Sequence, residues 1–141
     1  FFGISPHTTR AELQRAVFEG LAFAIVDALQ GYPLGGELYL TGGGAASATW
    51  LQIIADCTGR TVVSSAFNEL SARGAAILAA RSVAALAETP PLAQTRYQPR
   101  PQAHARYAAL YPVYRLLREQ MLPVWQARQA ALQSFSQDRQ P

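Results

Sequence analysis

The first stretch of the chain has apolar residues at the three- and four-residue spacing of an amphipathic helix. The pattern follows residues 13–28 and stops at Gly31. Thr9 and Glu12 stand three positions apart just before it, which is the spacing of a capping box, in which each side chain accepts a hydrogen bond from the other residue's backbone N–H. The pattern therefore predicts a first helix that begins directly after Thr9.

Two short runs with β-strand character follow this helix. The first occupies residues 37–41 and ends in three glycines at 42–44, and the second occupies residues 60–65. Apolar positions at helical spacing predict a second helix over residues 46–58, closed by Gly59, because glycine readily takes the left-handed conformation of a C-terminal cap. Strands that alternate with helices favour an α/β fold with parallel strands flanked by helices.

The second half of the chain contains two more helical patterns, separated by a proline-rich segment. An alanine-rich pattern predicts a third helix over residues 71–87, and an aromatic stripe at helical spacing predicts a closing helix over residues 103–134. Between them, the four prolines of residues 89–102 indicate an extended strap. Pro112 and Pro123 lie inside the closing helix and predict bends there.

Composition limits the partners that the chain can have. The 141 residues suffice for one domain, half of them are hydrophobic, and the net charge is +3. All twelve basic residues are arginines spread from Arg10 to Arg139, so no basic cluster indicates binding to nucleic acid. Because the chain has no lysine, it contains neither a P-loop lysine nor a lysine general base.

Other features predict a cytoplasmic protein. Cys57 is the only cysteine, so the chain forms no internal disulfide, as expected in a reducing compartment. No segment has the ~18 uninterrupted apolar residues of a membrane span, and the start lacks the basic region of a signal peptide. The chain begins without methionine on Phe1 and Phe2, two residues that normally lie in a core, so we expect a fragment of a longer protein.

The glycine run Gly42, Gly43 and Gly44, with Ser47 after it, is the most informative chemical feature. Without Cβ atoms the backbone can approach a ligand closely, and the N–H groups of the following helix attract phosphate oxygens, so the turn predicts a nucleotide cradle. A dinucleotide site is disfavoured, because Ser47 replaces the third glycine of that fingerprint and residues 63–65 lack its ribose-binding acid. A purely structural turn would need only one or two glycines.

Three ordered blocks of this sequence resemble the FGGY family of carbohydrate kinases. Residues 3–19 resemble the family's second signature, with Gly-Ile, then Glu-Leu, then Ala-Val-Phe-Glu at the expected spacing. Residues 41–47 (TGGGAAS) and 50–56 (WLQIIAD) resemble its adenosine motif, and residues 74–80 (GAAILAA) its GAA-x-LA helix. The tyrosine-rich closing helix fits the family's C-terminal helix more loosely.

This resemblance implies part of an actin-like (ribonuclease H-like) ATPase domain with a C-terminal helical extension. Residues 1–88 would be the later part of the C-terminal kinase domain, 89–102 the strap and 103–141 the C-terminal helical segment. The implied activity is ATP-dependent phosphorylation of a sugar or polyol, and the xylulokinase branch is the best match. The implied partners are the small-molecule sugar, ATP and the missing N-terminal part of the same kinase, with no nucleic acid and no membrane, and we expect a homo-oligomer.

The same resemblance assigns the adenosine of ATP to Gly42, Gly43, Gly44 and Ser47. Phosphoryl transfer also needs a base and Mg²⁺, and no acidic cluster in this chain provides them, so the catalytic residues and the magnesium ligands are expected upstream. Two alternatives remain open: a catalytically silent nucleotide-binding or interaction module, and an NADP-dependent oxidoreductase built on the glycine loop.

Five other polar residues are interpreted as structural. Glu19 is expected to be a hydrogen-bond or salt-bridge partner, and the only two histidines, His7 and His104, are too far apart in sequence to indicate a metal site. Gln52 and Asp56 follow the family pattern and are predicted to support the loop and its helix rather than to bind a ligand.

Overall fold

The structure, a computed structural model, describes residues 1–32, 36–65, 69–83 and 92–137. Within these residues the elements are, in chain order, α1 (Arg10–Ala28), β1 (Leu38–Leu40), a 3₁₀ turn (Gly43–Ala46), α2 (Ala48–Thr58), β2 (Val62–Ser65), α3 (Leu70–Val83), β3 (Gln94–Tyr97) and α4 (Pro101–Gln137). The α/β class predicted from the sequence is confirmed.

The capping box at the start of α1 is present as predicted. The backbone N–H of Thr9 donates to Glu12 Oε2 at 2.7 Å, and the backbone N–H of Glu12 donates to Thr9 Oγ1 at 3.3 Å. These bonds satisfy two donors that a helix start otherwise leaves unpaired, which is why α1 begins at Arg10.

The described sheet is mixed rather than wholly parallel. β1 and β2 run parallel, as the sequence predicted, and Leu38 lies opposite Val62. β3 pairs antiparallel with the other edge of β2 and places Tyr97 opposite Val62. The extended strap predicted over residues 89–102 thus includes a strand at 94–97, which the sequence did not predict. The prolines of the strap lie on either side of residues 94–97 and not among them. Each of these four residues therefore has a backbone N–H that can form a hydrogen bond in the sheet.

The core forms around α2, which packs against α1, α4 and β2. Apolar burial is the main stabilising contribution, and α2 supplies most of the buried residues. The core cluster consists of Ala22, Phe23, Leu51, Ile53, Ile54, Ala55, Cys57, Val62 and Tyr107.

The two halves of α4 differ in how far their aromatic and apolar side chains are buried. In the first half, the rings of Tyr107, Tyr111 and Tyr114 lie 5.9, 5.9 and 5.2 Å from the ring of Phe23 on α1. In the second half, all residues whose side chains are described are exposed from position 118 onwards, and Trp125 is 54% exposed. α4 begins at Pro101, two positions earlier than predicted, and stays helical through both internal prolines.

α3 differs from the other helices because none of its side chains is buried. Its Leu78 is 69% exposed. The predicted continuation to residue 87 lies outside the described residues. Within the described part of the chain, α3 therefore adds nothing to the core.

Candidate functional site

The glycine loop links the end of β1 to the start of α2. Gly42 has φ 83° and ψ −170°, a conformation that side-chain-bearing residues rarely adopt. The N–H of Ala45 then donates to the Gly42 carbonyl at 3.0 Å and closes the 3₁₀ turn. This turn occupies the first residue of the helix predicted over 46–58, so α2 begins at Ala48 instead. The chain thus changes from strand to helix within a few residues.

Ser47 is the N-terminal cap of α2. Its Oγ accepts a hydrogen bond from the N–H of Trp50 at 3.3 Å, and its carbonyl accepts one from the N–H of Leu51 at 3.0 Å. A helix leaves its first N–H groups without intrahelical partners, so those of Ala48 and Thr49 add positive partial charge at this end. The capping role of Ser47 was not predicted, and its hydroxyl proton remains available for donation.

The loop has open space beside its backbone. A Cβ placed on Gly43 would meet no atom within 4 Å, and one on Gly44 would meet Trp50 Nε1 only at 3.7 Å, an ordinary contact. Only Gly42 is required by its positive φ angle. Neither backbone conformation nor packing within the described residues therefore explains the second and third glycines.

A polar cavity of about 360 Å³ lies beside the first turn of α2. Two of its side chains are guanidinium groups on different elements, Arg15 on α1 and Arg100 just before α4. No pattern in the sequence predicts that Arg15 and Arg100 lie close together. The cavity is lined by Arg15, Ala48, Thr49, Gln52, Ile53, Tyr97 and Arg100.

Asp56 lies on the same helix and is completely buried. Its Oδ1 accepts from the backbone N–H of Arg100 at 2.8 Å and from Gln52 Nε2 at 3.0 Å, and its Oδ2 accepts from Arg100 Nε at 3.0 Å. Burial alone would raise the pKa of Asp56, but the hydrogen bonds from Arg100 and Gln52 outweigh it and hold the pKa below its usual value. Asp56 and Gln52, which were predicted to support the loop and its helix, bond α2 to residues 98–100 rather than to the glycine loop itself.

His104 packs against the end of α2. Its Nδ1–H donates to the Asp56 carbonyl at 2.9 Å. A Cβ on Gly59, which has φ 67° as predicted for a C-terminal cap, would lie 2.5 Å from the imidazole Cε1. Across the described residues, no three histidine, cysteine, aspartate or glutamate side chains group so that they could hold a metal ion.

Glu19 joins α1 to α4. Its Oε1 accepts from Arg15 Nε and from the Tyr107 hydroxyl, both at 2.7 Å, and Arg15 Nη2 donates to the Tyr107 oxygen at 2.8 Å. Burial, followed by the hydrogen bond to Glu19, raises the pKa of Tyr107 to about 12. Glu19 is thus a salt-bridge and hydrogen-bond partner, as expected from the sequence. For Tyr107, the helical spacing of the aromatic stripe was the one sequence signal for a position in the core.

Comparison with known proteins decides the family. Residues 1–83 match the model of the FGGY family of carbohydrate kinases, C-terminal domain. The chain belongs to this family. The FGGY match covers α1, β1, the glycine loop, α2, β2 and α3, whereas Tyr97 and Arg100 of the cavity lie beyond it.

Individual FGGY relatives agree with the family match. A probable L-xylulose kinase of Pasteurella multocida is 32% identical over 122 residues, which are 83% of this chain and 25% of that protein. The xylulose kinase of Escherichia coli K12 is 33% identical over 135 residues, 88% of this chain and 28% of that protein. The chain therefore spans about a quarter of the length of these relatives.

A solved structure supports the FGGY fold. The crystal structure of xylulose kinase from Rhodospirillum rubrum superposes with a TM-score of 0.76 at 29% identity and covers 89% of this chain and 28% of that chain. Among the described residues, no helix is both long and apolar enough to cross a membrane.

Proposed function

We propose that this chain is the nucleotide-binding C-terminal portion of an ATP-dependent sugar kinase that phosphorylates a pentulose or a related sugar or polyol. The family match over residues 1–83, with an open glycine loop at its centre, is the observation that carries the proposal. Xylulose is the preferred substrate, because the two relatives described above, which cover 83% and 88% of this chain, are named as kinases of L-xylulose and xylulose.

We assign the adenosine of ATP to Gly42, Gly43, Gly44 and Ser47. The open space beside the second and third glycines lets the backbone lie against ribose and phosphate, and the hydroxyl proton of Ser47 can be donated to an acceptor on the adenine. The first N–H groups of α2 favour an anion at the same place. Bound ATP supplies the phosphoryl group that the kinase transfers to the sugar hydroxyl.

The described residues do not fit a magnesium site. No three of their histidine, cysteine, aspartate or glutamate side chains form a cluster that could hold a cation, and the carboxylates of Glu12, Glu19, Asp27, Glu37 and Asp56 are engaged in ion pairs or a cap. In this proposal the magnesium ligands and the general base belong to the N-terminal part of the same kinase, which is the principal partner of this chain. We therefore expect the 141-residue chain alone to phosphorylate no sugar.

Ligand-induced thermal stabilisation of the purified chain tests the nucleotide assignment. ADP and ATP should raise the melting temperature in a concentration-dependent way, whereas NADPH should leave it unchanged, because ligands stabilise only the state that binds them. Stabilisation by NADPH alone would instead support the oxidoreductase alternative. No shift with any of the three nucleotides would contradict the nucleotide site.

Kinase activity needs a second experiment on the complete gene product. With MgATP, we expect it to phosphorylate xylulose faster than gluconate or glycerol, and we expect the 141-residue chain to be inactive in the same assay. A complete product that binds ADP but phosphorylates none of these compounds would favour the silent nucleotide-binding module.

A further inference from the structure

We infer that Asp56 and Arg100 are positioning residues for the adenosine loop. They fix α2, the helix that directly follows the loop, to the strap segment that precedes α4. The inference rests on the nucleotide function proposed above for the loop. It adds two residues, 44 positions apart in sequence, that would control nucleotide affinity without touching the nucleotide.

The carboxylate of Asp56 is held from several sides. Its side chain is 0% exposed, while that of Arg100 is 59% exposed, so the arginine reaches inward to it from the surface. Both carboxylate oxygens accept hydrogen bonds from Arg100, one from the backbone N–H and the other from the guanidinium. Nε and Nη2 of the guanidinium both donate to Oδ2, while the backbone N–H donates to Oδ1. Because both carboxylate oxygens are held, direction as well as distance is fixed, and α2 cannot slide or rotate without breaking these bonds.

Gln52 extends this polar contact towards the loop. Its Nε2 donates to Asp56 Oδ1 at 3.0 Å and to the carbonyl of Gln98 at 2.9 Å. Gln52 lies one helical turn after Ala48 and lines the same cavity as Arg100. Hydrogen bonds therefore connect residues 98–100 with the first turn of α2, where the glycine loop ends.

The sheet is the common reference for both ends of the loop. One end continues directly from β1, and β1 pairs with β2. The other end continues into α2, which Asp56 ties to Arg100, three residues after β3, and β3 also pairs with β2. Apolar packing of α2 is non-directional, whereas this polar tie fixes the position of α2 along its axis relative to β1. We therefore expect its loss to alter the loop while the core remains packed.

Asp27 offers a matched control on a different helix. It lies on α1, accepts from the Tyr111 hydroxyl at 2.8 Å, and forms ion pairs with Arg115 and Arg118 of α4. Like Asp56, it ties a helix to a distant part of the chain through arginine, but it does not lie on α2, the helix that follows the loop. A general loss of stability should be similar for both substitutions, whereas a loss of nucleotide affinity should be specific to Asp56.

The test is titration of the isotope-labelled chain with ADP and with adenosine, followed by two-dimensional NMR well below the melting temperature. Asp56→Asn and Arg100→Ala should each weaken binding of both compounds at least about fivefold, since a misplaced supporting shell loosens a binding site. Asp27→Asn should bind both as the wild type does. Adenosine is included because it is uncharged: a purely electrostatic effect of removing a carboxylate would tighten ADP binding and leave adenosine unchanged.

The outcomes separate this inference from the proposed function. Wild-type affinity in Asp56→Asn and Arg100→Ala, or an equal loss in Asp27→Asn, overturns the inference. If Asp56→Asn fails to fold, Arg100→Ala decides, because its side chain is largely exposed. Failure of the wild-type chain to bind either compound overturns the proposed function and, with it, this inference.

Discussion

The two ends of α2 have opposite properties. At its N-terminal end the glycine loop and the first two helical residues are mostly exposed, and a Cβ on Gly43 would meet nothing within 4 Å. At its C-terminal end, residues 53–57 are buried, and a Cβ on Gly59 would collide with His104. The helix is 11 residues long, about 16 Å, so one rigid element joins an open backbone to a packed core. Substitutions at the buried end should therefore change stability, and substitutions at the open end should change binding.

The largest effect should come from Ile54→Ala at the buried end. Ile54 is 0% exposed, and removal of its side chain leaves a cavity that costs about 2–5 kcal/mol of the free energy of unfolding. Urea denaturation measures it. The control is Leu132→Ala on the second half of α4, which is 49% exposed and should change the free energy by less than about 0.5 kcal/mol. Equal effects in the two variants would contradict the burial difference.

Alkaline pH should also weaken the buried end. Burial, with the charges of Glu19 and Asp56, raises the pKa of Cys57 from 9.0 to about 12, and that of Tyr107 rises from 10.0 to about 12. Both groups must stay neutral in the folded state, so stability is complete below about pH 9 and is lost as the pH rises towards 12. The expected loss by pH 11 is about 4 kcal/mol in urea denaturation. Cys57→Ala should delay its onset by about one pH unit, since Tyr107 then titrates alone; an unchanged onset would contradict this.

Gly59 and Gly43, near opposite ends of α2, should differ in how much an added methyl group lowers the free energy of unfolding. Gly59→Ala places a Cβ 2.5 Å from His104 Cε1 and forces a side-chain-bearing residue into a left-handed conformation, at a cost of about 2 kcal/mol. Gly43→Ala meets no atom and needs no positive φ, so its change in the free energy of unfolding should stay below about 0.5 kcal/mol. Thermal denaturation of both variants checks this, and a more destabilised Gly43→Ala would show that the loop, not the cap, is strained.

Gly44→Asp at the open end should change nucleotide binding rather than the free energy of unfolding. A Cβ here makes only an ordinary contact with Trp50, so the fold should persist, but a carboxylate beside the phosphates should weaken nucleotide binding about tenfold, or about 1.4 kcal/mol. In the complete kinase the KM for ATP should rise while the KM for the sugar stays constant. Loss of sugar binding with normal ATP kinetics would contradict the assignment of the loop.

The features that the sequence alone determined are those whose partners lie a few residues apart. The capping box of Thr9 and Glu12, the left-handed cap at Gly59 and the turn that begins at Gly42 were predicted and confirmed. Each depends on local hydrogen bonds or on the backbone freedom of glycine, which neighbouring residues encode directly. The family followed from three such local blocks, while the assignment of adenosine to the loop stays a prediction.

The features that only the tertiary structure decided are contacts between distant parts of the chain. The pairing of Asp56 with Arg100, the bond between Glu19 and Tyr107, 88 residues apart, and the antiparallel addition of β3 had no local signal. Apolar residues at helical spacing run along α4, yet its first half is packed and its second half is exposed, because the core around α1 and α2 contacts residues 103–114 of α4. Periodicity shows which face of a helix is apolar, but burial depends on which element the fold brings next to that face.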